Sequence, residues 1–174
     1  MKIIDLSQQL YDRMPVYPGD PEVKIEEIHT LSKEGWNLRN MTLTTHTGSH
    51  VNVPYHMRKD GLKLDQLPLD LFQGKADIYV DGMNFSKEKG VIFRDQNIDV
   101  KITEKLIANP PKFIGLSEKH EFDIEIEKKL LENGIISYEN LKNTDLLPSS
   151  FMFYGVPLNI KDSDGSPVRA YAII

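Results

Sequence analysis

Apolar and polar residues alternate in short stretches over the first half of the chain. Longer, helix-like periods enter only in the second half. Lys2–Leu6 (KIIDL) reads as a short strand, and Val23–Leu31 as a strand with mixed facing that places Val23, Ile25, Glu27, His29 and Leu31 on one side. Between them, Met14–Pro21 (MPVYPGDP) carries three prolines and a glycine and reads as a rigid loop. Leu38–His46 (LRNMTLTTH) is rich in threonine and apolar residues, again a strand. Lys63–Phe72 predicts a loop with a short helix, Ala76–Val80 an apolar strand, and Val91–Phe93 another short one.

A helix begins over Thr103–Ile107 and stops at Asn109-Pro110-Pro111; Phe113–Leu116 follows as a buried strand. Ile124–Asn133 places apolar residues at 124, 126, 130 and 131 with Gly134 just beyond, the pattern of an amphipathic helix with a glycine terminator. Ile135–Ile136 predicts a strand, Glu139–Leu146 a short helix or turn, Phe151–Ile160 a strand interrupted by Gly155 and Pro157, and Val168–Ile174 a closing strand. Strands dominate the first half and both types mix in the second, with no internal repeat or long linker.

The length of 174 residues fits one domain spanning 1–174, and 40% hydrophobic with 27% charged residues is an ordinary globular balance. A formal charge of -5 argues against general affinity for nucleic acid or an anionic membrane. Cysteine is absent, which removes disulfides, thiolate metal sites and a cysteine nucleophile. Any transition metal must therefore be held by His, Asp, Glu, Asn or backbone oxygen. The N-terminal MKIIDLSQQL is broken by Asp5 and is not a signal peptide, and no stretch has the length of a membrane span. These features predict a soluble, cytoplasmic protein.

Three of the five histidines fall in eleven residues: His46-Thr-Gly-Ser-His50-Val-Asn52-Val-Pro54-Tyr-His56. Thr, Val, Gly and Pro disfavour a helix there. In an extended chain, positions 46, 48, 50 and 52 share a face, with Gly48 leaving space between two imidazoles, and Pro54 ends the pairing so that His56 can turn back. A lone histidine is more often an ordinary polar residue; three at this spacing point to a metal or a proton network.

HTGSHVNVPYH resembles the His-x-Gly-Thr/Ser-His-x-Asp-x-Pro-x-His signature of the cyclase family of metal-dependent hydrolases, which includes bacterial kynurenine formamidase and isatin hydrolase. DLSQQLYDRMPVYPGDP, KLDQLPLDLFQGKA and VPLNIKDSDGSPVRAYAI are similar to further family segments, so matching pieces run from end to end. The resemblance implies a mixed-sheet α/β domain of the swivelling β/β/α type, a homo-oligomer, and bound zinc or manganese. It implies His46, His50 and Glu139 as metal ligands, His56 as the acid/base group, and Tyr17 against the substrate. Asn52 stands where the motif has a metal-binding aspartate, and Glu127 where members carry a metal-binding histidine; both are candidate ligands. These two departures predict at most one tightly held metal and low formamidase activity.

Other residues keep two readings. Glu127 lies in an acidic run with Glu121, Asp123 and Glu125, which reads equally as a solvated helix face. Asn52 is a weak neutral ligand or a hydrogen-bond partner, and His120 is an alternative imidazole. Asp164-Gly165-Ser166-Pro167 reads as a plain turn, Arg169 as the partner of a buried carboxylate, Trp36 as a packing residue and His29 as an ordinary strand residue. The implied reaction is metal-assisted hydrolysis of an amide in a small substrate, with His56 relaying the proton to the leaving nitrogen. The competing reading is a metal-poor domain that binds a small molecule or serves as a structural subunit. No Gly-x-Ser-x-Gly elbow supports a serine hydrolase.

Overall fold

The computed structural model describes residues 1–174. Eleven strands form in chain order: β1 (Ile3–Asp5), β2 (Lys24–His29), β3 (Leu38–Thr42), β4 (His50–Asn52), β5 (Gln73–Ile78), β6 (Gly90–Phe93), β7 (Ile114–Ser117), β8 (Ser137–Leu141), β9 (Ser150–Tyr154), β10 (Gly165–Pro167) and β11 (Tyr171–Ile173). The helices are α1 (Leu31–Glu34), α2 (Val100–Ala108) and α3 (Ile124–Glu132). Nine strands make one mixed sheet in the order β1-β11-β9-β5-β6-β7-β8-β4-β10, curled into a half-barrel. β5 to β8 run parallel, and every other pairing in that sheet is antiparallel.

The parallel core explains the uninterrupted apolar runs. Strands covered on both faces need no polar alternation. Val91 and Phe93 of β6 enter a cluster with Ile102 and Leu106 of α2 and Leu130 of α3, while Ile92 points to the opposite cluster with Val51, Phe113, Tyr138 and Phe153. The two longer helices form the β6–β7 and β7–β8 crossovers and carry aspartate N-caps: Asp99 accepts from the Ile102 amide, and Asp123 from those of Glu125 and Ile126. Gly134 takes a left-handed φ of 78° just past α3, as its position in the sequence predicts.

β2 and β3 form a separate two-stranded arm with α1 between them. Every residue of β3 is exposed, and Trp36 beside it is 56% exposed with its ring against His29. No helix is long and apolar enough to cross a membrane.

Several boundaries differ from the sequence reading. The strand expected over Leu38–His46 ends at Thr42. Ile135–Ile136 precede β8, which runs through Glu139 where a helix or turn was expected; only Thr144–Leu146 forms a helical turn. Pairing with β4 on one side and β7 on the other holds this polar SYENL segment extended against its weak local preference. β9 stops at Tyr154, before the Gly155 and Pro157 that marked the interruption.

Candidate functional site

Strand register brings the two halves of the chain together. β4 pairs with β8 so that His50 lies opposite Glu139 and Asn52 opposite Ser137, and β10 places Gly165 opposite Asn52 on the other side. His50 and Asn52, two residues apart, share one face of β4. α3 lies across this sheet edge with Glu127, Leu130 and Leu131 on its buried side. Glu127 is 6% exposed and belongs to the cluster; the solvated-face reading of its acidic run does not apply to this residue.

His46 reaches the cluster by a route unlike the extended one expected. It sits in a turn closed by Thr47, whose hydroxyl accepts from the Thr44 amide at 3.1 Å. Gly48 then takes a φ of 65°, and a Cβ there would stand 2.7 Å from Leu10 Cδ2, so glycine is needed both for the backbone and for space. The His46 and His50 rings meet edge to face at 5.2 Å. Pro54 opens a single helical turn, Pro54–His56, which carries His56 back over His46 with ring centroids 4.0 Å apart.

The inner half of the cluster centres on Asn52, which is fully buried. Its amide Nδ2 donates to Glu127 Oε1 at 2.5 Å and Glu139 Oε1 at 2.7 Å, and its Oδ1 lies 2.7 Å from His46 Nδ1. The Ser137 hydroxyl donates to Glu127 at 3.2 Å. His50 Nδ1 faces the Gly48 carbonyl at 2.8 Å, and its Nε2 faces Glu139 Oε1 at 3.4 Å.

The outer half is half-exposed. Asp164 Oδ2 lies 2.9 Å from His46 Nε2 and 3.5 Å from His56 Nδ1. These three residues each place a ligand-type atom within 4.8 Å of the others. The Asp164–Pro167 stretch is thus more than a plain turn: it begins β10 and delivers a carboxylate to the imidazoles. Sequence reasoning passed over Asp164 because Asp-Gly-Ser-Pro carries strong turn chemistry, although the C-terminal motif around it was a signal.

Burial and neighbours divide the titrating groups. Burial, and then the charge of Glu139, push the Glu127 carboxyl up to about 7, against hydrogen bonds from Ser137 and Asn52. Burial also acts to raise Glu139, but His50 and Asn52 outweigh it and hold that carboxyl below the usual range. The His46 hydrogen bond, then that of His56, holds Asp164 far below the ordinary aspartate value. Burial would lower His46, yet Asp164, Asn52 and Glu127 together hold it above the ordinary imidazole value.

The remaining sequence candidates lie apart. Tyr17 is 66% exposed in the proline-rich loop, with no ring or side-chain hydrogen-bond contact to the imidazoles. His120 Nε2 contacts the Arg94 carbonyl at 3.1 Å, a local tie. Arg169 pairs with Asp5 at 2.6 Å, and that carboxylate is 45% exposed rather than buried.

The donor set was tested for a divalent cation. Asn52 directs its amide hydrogens to the two glutamates, so its oxygen faces His46 Nδ1 as an acceptor. The Gly48 carbonyl takes the His50 Nδ1–H, and His50 Nε2 faces the Glu139 carboxylate. His46 Nδ1 with Asn52 Oδ1, and His50 Nε2 with Glu139 Oε1, each share one hydrogen, and a cation that displaced it would meet acceptors on both sides. Acceptors meeting in a buried site call for a proton or a cation between them. Two imidazole nitrogens, a carboxylate and an amide oxygen suit zinc or manganese.

A family model described as Putative cyclase matches residues 4–109, which include the three clustered histidines. A kynurenine formamidase of Salinibacter ruber is 26% identical, with 98% of this chain and 96% of that protein covered. An uncharacterized protein of Methanocaldococcus jannaschii is 31% identical across the full length of both chains. Among solved structures, an isatin hydrolase bound to the product analogue thioisatinate aligns with a TM-score of 0.83 at 17% identity, covering 99% of this chain and 92% of that one. The mixed-sheet fold is therefore shared.

Proposed function

The chain belongs to the cyclase family, and from that premise we propose that it is a metal-dependent hydrolase of amide bonds in small substrates, arylformamidase-like in the bond it cleaves. The observation that carries this reading is the gathering of His46, His50, Glu127 and Glu139 around buried Asn52. His46 Nδ1, His50 Nε2, Asn52 Oδ1 and Glu139 Oε1 are the atoms that would hold a zinc or manganese ion, with Glu127 adding charge behind Asn52. When bound, such an ion supplies Lewis acidity toward water and toward an amide carbonyl.

The remaining chemistry belongs to side chains. His56, on the half-exposed rim, takes the proton released by the attacking water and passes it to the departing amide nitrogen. Solvent reaches the cluster on this side, so substrate approaches across His56 and Asp164 while Glu127 stays covered. The kynurenine formamidase and isatin hydrolase relatives favour an N-formyl aryl amide or a cyclic amide as the substrate class.

A second reading draws on Asn52 itself. Its amide ties Glu127 to Glu139 without any cation, which suits a domain that has given up its metal and only binds a small molecule. Metal analysis of the purified protein, titration with Zn²⁺ and Mn²⁺, and hydrolysis of an N-formyl aryl amide separate the two. One equivalent of bound metal, with hydrolysis lost on chelation and regained on metal return, is the expected result. A protein that takes up no metal after supplementation and hydrolyses nothing overturns the enzyme reading in favour of the binding domain.

A further inference from the structure

His46 and His56 arrive from different turns and meet at one carboxylate oxygen. Asp164 Oδ2 lies 2.9 Å from His46 Nε2 and 3.5 Å from His56 Nδ1. The other oxygen, Oδ1, accepts the Thr45 hydroxyl at 2.9 Å, which fixes the rotation of the carboxylate. The next residue, Gly165, is pressed against the ring that Asp164 serves. A Cβ there would stand 2.9 Å from His46 Cε1 and 2.6 Å from the Val51 carbonyl. Backbone and side chain thus leave Asp164 little freedom to turn away.

A carboxylate accepts hydrogen bonds and does not donate them. At 2.9 Å, His46 Nε2 must therefore carry the hydrogen, and at 3.5 Å the same carboxylate favours the hydrogen on the Nδ1 of His56. The lone pairs then fall on the opposite nitrogens, His46 Nδ1 toward Asn52 and His56 Nε2 away from Asp164. We propose that Asp164 is a positioning residue that sets the tautomers of two imidazoles at once, making His46 a ligand through Nδ1 and His56 a proton carrier through Nε2. A ligating histidine whose second N–H is held by a carboxylate is a recurring device at metal sites. The His46 half of this inference rests on the metal-dependent reading; the His56 half does not.

The same three residues could instead grip a cation directly. That arrangement would leave His50, Asn52 and Glu139 outside the ion, so the positioning role accounts for more of the cluster.

The test uses the full chain labelled with ¹⁵N-histidine. Ring-nitrogen spectra are recorded metal-free and with Zn²⁺ at about pH 8.5, where an ordinary imidazole is neutral. Wild type should show His56 as the Nδ1–H form in both samples, and His46 as Nε2–H with Nδ1 shifted by zinc. In Asp164→Ala, His56 should redistribute toward Nε2–H, Zn²⁺ affinity should fall roughly 10–100-fold, and kcat should fall with KM little changed. Asp164→Asn, which keeps the shape and one acceptor oxygen, should recover part of each and serves if the alanine variant fails to fold.

An unchanged His56 tautomer in both variants overturns the proposal. So does complete loss of zinc in Asp164→Ala alongside its retention in Glu139→Gln, since Asp164 would then be a ligand. A wild type that binds no zinc sinks the metal-dependent reading, while the metal-free His56 tautomer still decides the role of Asp164.

Discussion

Glu127 and Asp164 are both carboxylates that feel the charge of His46, yet the fold treats them in opposite ways. Glu127 sits beneath α3 at 6% exposure, beside a second carboxylate, and is pushed up to about 7. Asp164 sits at the rim with a side chain 35% exposed, takes hydrogens from two imidazoles, and is held well below its ordinary value. The inner half of the cluster, with Glu127 and Asn52 buried, is tied together by one amide; the outer half is part-exposed and organised by one carboxylate. Residue type alone therefore says little about role. The number of donors around each carboxylate, and the water it has lost, decide whether it stores a proton or keeps a charge.

The sharpest way to break this comparison is at His56. If the outer half moves protons and the inner half holds metal, His56→Ala should lower turnover of an N-formyl aryl amide by about 10²–10⁴-fold and leave metal content nearly intact. Metal analysis beside steady-state kinetics checks it. Parallel loss of metal would move the ligand role to the rim.

A smaller change is expected at Asn52. Asn52→Asp replaces an amide that ties Glu127 to Glu139 with a third carboxylate in the same buried space. The metal-free variant should melt at a lower temperature than wild type. Its divalent affinity should rise on the order of tenfold, because a charged oxygen is a stronger partner than a neutral one. Calorimetric titration with Zn²⁺ and Mn²⁺ reads both stoichiometry and affinity. Two tightly bound equivalents in wild type, unchanged by the substitution, would show that position 52 is not a ligand.

The smallest expected effect is a pH dependence. Folding raises Glu127 above its unfolded value, so the folded chain holds that proton more tightly. The stability this contributes is present below the ordinary glutamate range and is lost as pH rises toward about 7. Asp164 has the opposite sign: its contribution is present above the ordinary aspartate value and lost as pH falls through its depressed one. Urea unfolding of the metal-free protein at about pH 5 and about pH 7.5 should show wild type losing more stability than Glu127→Gln over that interval. Equal losses would mean that Glu127 does not hold its proton in this range.

Much of this molecule is legible before any coordinates. Period-two runs, proline stops and the Gly134 terminator mark most strands and both longer helices, because backbone sterics and apolar periodicity act within a few residues. The His46–His56 motif announces the chemistry for a similar reason: four of the cluster residues lie within eleven positions. Tertiary structure alone decided the rest. Glu139 became a strand residue through pairing with β4 and β7, Glu127 turned inward because α3 packs its 127-130-131 side on the sheet edge, and Asp164 met two histidines more than a hundred residues away. Tyr17 stayed in solvent. Local sequence sets which backbone shapes are cheap, but contacts across the chain are settled by register and helix packing, where burial and hydrogen-bond partners outweigh propensities of roughly a few tenths of a kcal/mol.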